Sequence, residues 1–288
     1  MQKVVNDSYP VSNEALKAQL AEEFMTNGSA NANYNGPTEV IDLPSKGYFY
    51  PEGHPLSSGK IELKYMTAKE EDILSSQTLI KQGVVIDRLL QSLIVTKVKY
   101  DDILTADKNA IFIAARILAY GADYETNITC PKCGTTSKYT IDLQSFEAKE
   151  LDWDSIQKGK HTLTFTLPVG KQELEVKFLT HGDEKELEKI LTSPELAKTK
   201  ALTGVDSELT TRLKRVIVSV DGDTTKGKIN ETVDNMLSRD SLALRQYLKA
   251  MTPELDTSFT FKCGNRECGY EAEKMQLPIT TQFFWPGV

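Results

Sequence analysis

The chain has 288 residues, 40% of them hydrophobic and 26% charged, proportions of an ordinary globular protein that exclude a fibrous or wholly disordered class. Its 34 basic and 41 acidic side chains leave a formal charge of -7, which argues against a nucleic-acid partner because phosphate binding needs a concentrated positive field. The first residues, "MQKVVNDSYPVSNEALKAQL", lack the apolar segment of a secretory leader, and no run approaches the roughly 18 apolar residues of a membrane span. A reducing cytoplasm and no membrane partner are therefore expected.

Residues 1–39 mix Asn, Ser, Ala and Gly around one short helical pattern, Glu14 to Phe24, and read as a flexible arm. Order is expected from "EVIDLPSKGYFYPEG", where Pro44, Gly47, Pro51 and Gly53 interrupt aromatic residues and favour turns. "GKIELKYM" alternates apolar Ile61, Leu63 and Tyr65 with polar neighbours, as a strand does. Thr67 and Glu70 match a capping box and predict a helix after them. "VVIDRLLQSLI" carries Val85, Leu89 and Leu93 at helical spacing, and "DKNAIFIAARILAYG" supplies a strongly apolar helix ended by Gly121. Three helices make a first core.

"YETNITC" and "SKYTIDL" are rich in residues that suit strands. Further on, "HTLTFTL" and "QELEVKFL" form a hairpin candidate joined through Pro168 and Gly170. "GDEKELEKIL", "DSELTTRLKRVIVSV", "INETVDNML" and "DSLALRQYLKAM" read as helices, although "RVIVSV" suits a strand equally. "SFTFKC" and "YEAEKMQL" close the chain with strand character. The expected class is α+β: a helical N-terminal core, a bipartite four-cysteine pair of zinc-ribbon-like hairpins, and an inserted α+β middle region. The expected segments are a flexible arm over 1–39, the core with the first hairpin over 40–143, the insertion over 144–239, and a helix, second hairpin and aromatic tail over 240–288.

The four cysteines stand in two tight pairs, Cys130 and Cys133 in "CPKCG" and Cys263 and Cys268 in "CGNRECG", more than a hundred residues apart. Strands flank both pairs, and Gly follows the last cysteine of each. A structural zinc is typically held by two turns that present two thiolates apiece, and both spacings suit such turns. A redox pair, four buried free thiols and an iron–sulfur cluster are the competing readings. The redox reading wants a pair at a helix start, and the free-thiol reading leaves the pairing unexplained. Zinc bound by four cysteines would be structural, because a catalytic zinc keeps one position for water.

No catalytic pattern accompanies the cysteines. His54, His161 and His181 stand in no metal-binding motif and read as solvated or capping residues. Nucleophile-elbow, phosphate-loop and dinucleotide fingerprints do not occur, so no enzyme is expected. Glu70, Glu71 and Asp72 suit a helix start, and Asp101 and Asp102 a turn, as solvated groups. Lys132, Lys138, Lys262 and Arg266 near the cysteines are offset by Glu125, Glu267, Glu271 and Glu273. The aromatic runs Tyr48, Phe49, Tyr50 and Phe283, Phe284, Trp285 either dock on the chain's own core or anchor a partner.

"IDLPSKGYFYPEGHPLSSGKIELKYMTAKEEDIL", "DKNAIFIAARILAYGADYETNITCPKCG" and "FKCGNRECGY" with the closing "FFWPGV" together resemble the T-even-type baseplate hub subunit family of contractile-tailed bacteriophages. The resemblance covers residues 40–143 and about 240–286, with the centre unassigned. It implies a non-enzymatic protein that builds the central hub of the tail baseplate, as a virion component or as an assembly factor in the host cytoplasm. Its partners would be other hub and tail tube proteins, and a homo-oligomer would suit a symmetric tail. Pro44, Gly47 and Tyr48 would belong to the family's N-terminal motif, and Phe283, Phe284 and Trp285 to its C-terminal one. The alternative is a zinc-ribbon adaptor that binds nucleic acid.

Overall fold

The computed structural model describes residues 34–277 and 281–284. The helical pattern over Glu14 to Phe24, most of the expected arm, and Trp285 lie outside the described residues. The architecture is mixed α+β with small antiparallel sheets. No described helix is long and apolar enough to cross a membrane.

The first strands, β1 (Thr38–Asp42) and β2 (Lys60–Lys64), pair antiparallel with Ile41 opposite Ile61. Between them the chain runs through successive turns, as the Pro and Gly content predicts. Gly47 takes φ +77° there, and a Cβ on it would lie 2.4 Å from the Ser57 carbonyl oxygen, so only glycine lets the two backbones meet. The turns are nailed to the core by Asp107, a fully buried carboxylate. It accepts hydrogen bonds from the Ser45 amide at 3.0 Å, the Ser45 hydroxyl at 2.7 Å and the Tyr50 hydroxyl at 2.8 Å. The Tyr50 oxygen in turn accepts from the Leu104 amide.

Helices α1 (Ala68–Ser75), α2 (Gln77–Lys81), α3 (Val85–Leu93) and α4 (Thr105–Tyr120) follow. At the start of α1, Glu70 accepts from the Thr67 amide at 3.0 Å, the expected capping contact. Glu70 itself is not solvated as expected. It is 1% exposed, because β2 places Lys64 Nζ 2.8 Å from its carboxylate, while Glu71 and Asp72 stay in water. In α4, Ala110 to Ile113 are all buried together with Ala115 and Arg116, so this helix is covered on several sides. The short helix α2 had no counterpart in the sequence reading.

Strands β3 (Asp123–Thr129) and β4 (Thr136–Asp142) form the first cysteine hairpin. The middle of the chain folds around a three-stranded antiparallel sheet, β5 (Thr162–Thr166), β6 (Glu173–Lys177) and β7 (Ile217–Val220), with β6 central. Helices α5 (His181–Leu191), α6 (Pro194–Thr203), α7 (Glu208–Val216), α8 (Lys226–Asp234) and α9 (Ser238–Met251) surround it. "RVIVSV" divides, the helix running to Val216 and the strand beginning at Ile217. The helix α6 is an addition to the expected elements, although Ser193, Pro194 and Gly204 are ordinary helix boundary residues.

Two apolar cores result. One joins the turns, α1 to α4, Tyr124, Ile141, Phe283 and Phe284. The other joins Leu174, Val176, Val216, Val220, Val233, Leu244 and neighbours of the middle sheet. The outgoing and returning chain lie side by side, Lys149 donating its amide to the Glu254 carbonyl and Asp256 its amide to that of Glu147, each at 2.9 Å. That tie brings the last hairpin, β8 (Ser258–Lys262) with β9 (Glu271–Gln276), back beside the first.

Candidate metal centre

Each cysteine pair sits in the turn of a two-stranded hairpin. In the first, the Cys130 amide donates to the Thr135 carbonyl and the Gly134 amide to the Cys130 carbonyl, both at 2.9 Å. In the second, the Cys263 amide donates to the Tyr270 carbonyl at 2.9 Å and the Cys268 amide to the Asn265 carbonyl at 3.0 Å. Gly134 and Gly269 both adopt positive φ where each turn closes.

The hairpins approach face to face. Tyr139 of β4 donates its hydroxyl to the Thr260 carbonyl of β8 at 2.6 Å, and its ring lies 5.8 Å from those of Phe259 and Phe261. The hairpins also meet closely at Gly264, where a Cβ would lie 2.5 Å from the Ser137 hydroxyl oxygen. The Lys132 ammonium donates to the Cys268 carbonyl across the gap at 3.3 Å.

All four sulfurs fall within 4.8 Å of one another. Cys130 Sγ lies 3.9 Å from Cys268 Sγ, and Cys133 Sγ lies 3.6 Å from Cys263 Sγ, so every cysteine has a close neighbour from the other hairpin. These distances are far beyond the roughly 2.05 Å of a disulfide, and all four thiols are free. A tetrahedral ion with sulfur bonds of about 2.3 Å would set its ligands about 3.8 Å apart, so the residues fit such a metal. Cys130 is buried and Cys133 exposed, which places the cluster with one side in the protein and one at the surface.

The sulfurs differ in proton affinity. The Thr135 hydroxyl and amide bring the Cys133 thiol down to about 6. At Cys263 the Asn265 amide favours the thiolate, but desolvation and the neighbouring thiols push it up to about 12. A metal ion bound here would hold all four as thiolates, so metal retention and proton uptake compete. Charged side chains on the hairpins pair with each other: Lys138 with Glu125 at 2.8 Å and Lys262 with Glu271 at 3.1 Å.

The other sequence candidates are placed elsewhere. Phe49 and Tyr50 are 3% exposed, and Phe283 and Phe284 no more than 1%, so these four serve the chain's own core rather than standing free for a partner. Phe49 meets Phe178 edge to face at 4.7 Å, and half-buried Tyr48 packs on Trp153 at the same distance. Phe283 stacks on Phe112 at 5.3 Å and touches Tyr124, while Phe284 meets Phe112 edge to face at 4.8 Å. Arg116 holds this tail: its Nε donates to the Phe283 carbonyl at 2.9 Å and its Nη1 to that of Gly121 at 3.1 Å. Sequence reasoning missed Arg116, although one arginine within "IFIAARILAY" was the signal. His181, expected to be solvated or capping, is buried at the head of α5, and His54 stacks on Tyr50 at 4.8 Å.

The molecule is thus a mixed α+β protein with a cluster of four thiols, close enough together to hold a metal ion and with no fifth side chain grouped with them among the described residues. The chain belongs to the T4 bacteriophage base plate protein family, whose sequence profile matches residues 40–285. No curated protein and no solved structure matches it. The family makes it a structural phage protein of the virion tail, associated with other tail proteins.

Proposed function

We propose that the chain is a non-enzymatic subunit or assembly factor of the central baseplate hub, binding other hub and tail tube proteins, with a structural zinc at Cys130, Cys133, Cys263 and Cys268. The family match supports the baseplate setting, and the resemblance of the "LPSKGYFYP" and "FFWPGV" motifs to hub subunits supports the hub. The observation that carries the metal reading is the approach of four thiols from two distant hairpins to within 4.8 Å. The zinc clamps the two hairpins and thereby closes the loop that contains the middle sheet, contributing its binding free energy to folding.

We read residues 144–239 as an inserted unit on the 40–143 core, supported by the paired departure and return of the chain at Lys149 and Glu254. The last helix, α9, lends Leu244 to the inserted unit's core before the second hairpin begins. Assembly takes place in the host cytoplasm, within a symmetric complex compatible with several copies of this chain. Phe49, Tyr50, Phe283 and Phe284 act from inside, stiffening the surface, and half-buried Tyr48 is the described aromatic residue of these motifs that meets a partner, with Trp285, outside the described residues, the second partner contact.

The test is co-purification of the tagged chain with hub and tail tube proteins, with plasma mass spectrometry for metal. Recovery of those proteins and one zinc per chain is expected, with a lower melting temperature after chelation. Failure to retain any tail protein removes the hub assignment, iron instead of zinc removes the zinc assignment, and metal-free thiols remove the clamp. Salt-sensitive binding to nucleic acid would favour the adaptor reading, which the paired charges of Lys138 with Glu125 and Lys262 with Glu271 weigh against.

A further inference from the structure

The seam between the two cores holds a buried histidine enclosed by charges. His181 opens α5 and is 6% exposed. Around it stand Asp87 from α3, Tyr100 and Asp101 from the 3-10 turn Tyr100–Asp102, Lys108 from α4 and Lys185 from α5. Lys108 Nζ lies 3.0 Å from His181 Nδ1 and 2.7 Å from Asp87 Oδ1. His181 Nε2 lies 3.4 Å from Asp87 Oδ2 and 4.0 Å from Asp101 Oδ1. The Tyr100 ring meets the imidazole edge to face at 4.6 Å, and its hydroxyl donates to Asp87 at 3.0 Å. Lys185 Nζ is 3.1 Å from Asp101.

This arrangement selects one protonation state. An ammonium group only donates, so Nδ1 must accept from Lys108, and the single imidazole proton belongs on Nε2, facing Asp87. A second proton would sit on Nδ1 and point at the ammonium, replacing a hydrogen bond with a like-charge contact at 3.0 Å. The backbone around it is the seam itself: the His181 amide donates to the Ile103 carbonyl at 2.8 Å and the Thr105 amide to that of Leu179 at 3.0 Å. Leu104 and Thr180 form a bridge between these bonds, and Gly182 lets Asp101 pack closely against α5.

We infer that His181 is a proton-operated latch: neutral, it locks α5 and the middle sheet onto the first core through Lys108 and Asp87, and protonated, it loosens that seam. Burial first, then the Lys108 charge, lowers the proton affinity of His181 below its ordinary 6.5, while Asp87 and Asp101 oppose this without reversing it. The unfolded or opened chain therefore takes up the proton first as pH falls. The latch is fully set above pH 6.5 and is lost as pH falls through the lower folded value.

The experiment is an NMR titration of the histidine side chains in the full chain, with hydrogen exchange of the Ile103 to Thr105 and His181 to Lys185 amides between pH 7 and pH 5, corrected for intrinsic rates. The expected midpoint for His181 lies below 6.5 with the Nε2–H tautomer, and seam exchange accelerates by up to tenfold per pH unit. Lys108→Met should raise the midpoint, a response that packing alone would not give. His181→Gln, which can accept from Lys108 and donate to Asp87 while remaining neutral, should keep the seam protected at both pH values. A midpoint at or above 6.5 in the natural chain, a midpoint indifferent to Lys108→Met, or acid loosening that persists in His181→Gln each overturns the latch.

Discussion

Replacing Arg116 with methionine is the sharpest test of how the C-terminal aromatic residues are used. Arg116 is 2% exposed, and its guanidinium has two carbonyl partners, Phe283 and Gly121. It also lies over the rings of Tyr120, Tyr124 and Phe283 at 5.0, 5.8 and 5.9 Å. Methionine keeps much of the apolar stem but removes both hydrogen bonds. The buried Phe283 carbonyl left without a partner costs about 1 to 3 kcal/mol, whereas exposed Gly121 can take its bond from water. The lost attraction to the rings adds about 0.5 to 2 kcal/mol. Relief from burying a charge works in the opposite direction, since desolvating an ion costs about several kcal/mol. The net expectation is a destabilisation of about 1 to 4 kcal/mol, because the ion's replacement leaves one buried acceptor unpaired. At about 2 to 4 °C per kcal/mol, the melting temperature should fall by roughly 2 to 16 °C. Scanning calorimetry measures the fall, and hydrogen exchange at Gln282 to Phe284 locates it in the tail. Arg116→Lys, which keeps the charge but loses the planar two-bond geometry, should fall between the two. A methionine variant within about 1 kcal/mol of the natural chain, with unchanged tail exchange, would refute the idea that this arginine anchors the tail.

Two further substitutions probe other joints. Gly264→Ala should destabilise the chain by about 1 to 3 kcal/mol and weaken metal retention, because the new methyl meets Ser137 at the hairpin crossing. Ser137→Gly should restore much of both, and calorimetry with metal analysis on the double variant would reveal an absence of coupling. Asp183 is 4% exposed; burial alone would raise its carboxyl, but hydrogen bonds from Lys177 and the Thr180 amide, with the charges of Lys177 and Arg215, hold it below the ordinary carboxylate value. Its contribution is present at neutral pH and is lost as pH falls through that lowered folded value. Asp183→Asn should cost about 3 to 5 kcal/mol at pH 7 and flatten the acid limb of stability measured by urea titration. An unchanged acid limb would show that this carboxylate is not the one titrating.

Local signals were sufficient for most elements. Periodicity marked α3 and α4, the Thr67 and Glu70 pair marked the start of α1, alternation marked β2, strand-type residues marked β3 and β4, and the joint at Pro168 and Gly170 marked the hairpin of β5 and β6. The cysteine spacing named the candidate metal residues, since a turn that presents two sulfurs is a local property. The boundary inside "RVIVSV" was not legible, because a buried apolar run suits helix and strand alike until β6 offers Val220 a partner at Leu174. Nor was the fate of the charged and aromatic residues. Glu70, Asp107, Arg116 and His181 look like surface groups by composition; Glu70 is buried against Lys64 of the preceding strand, and the other three because residues distant in sequence supply their partners, Ser45 with Tyr50, Phe283, and Lys108.

By itself the sequence determined the mixed class, most helices and strands, and which four sulfurs could share an ion, because periodicity, capping and turn chemistry act within a few residues. Tertiary structure alone decided that the two hairpins meet, that four of the six candidate aromatic residues turn inward, and that a histidine closes the seam between the cores. Those outcomes depend on burial and on partners brought together from far along the chain, where desolvation and pairing are settled only once the whole chain has packed.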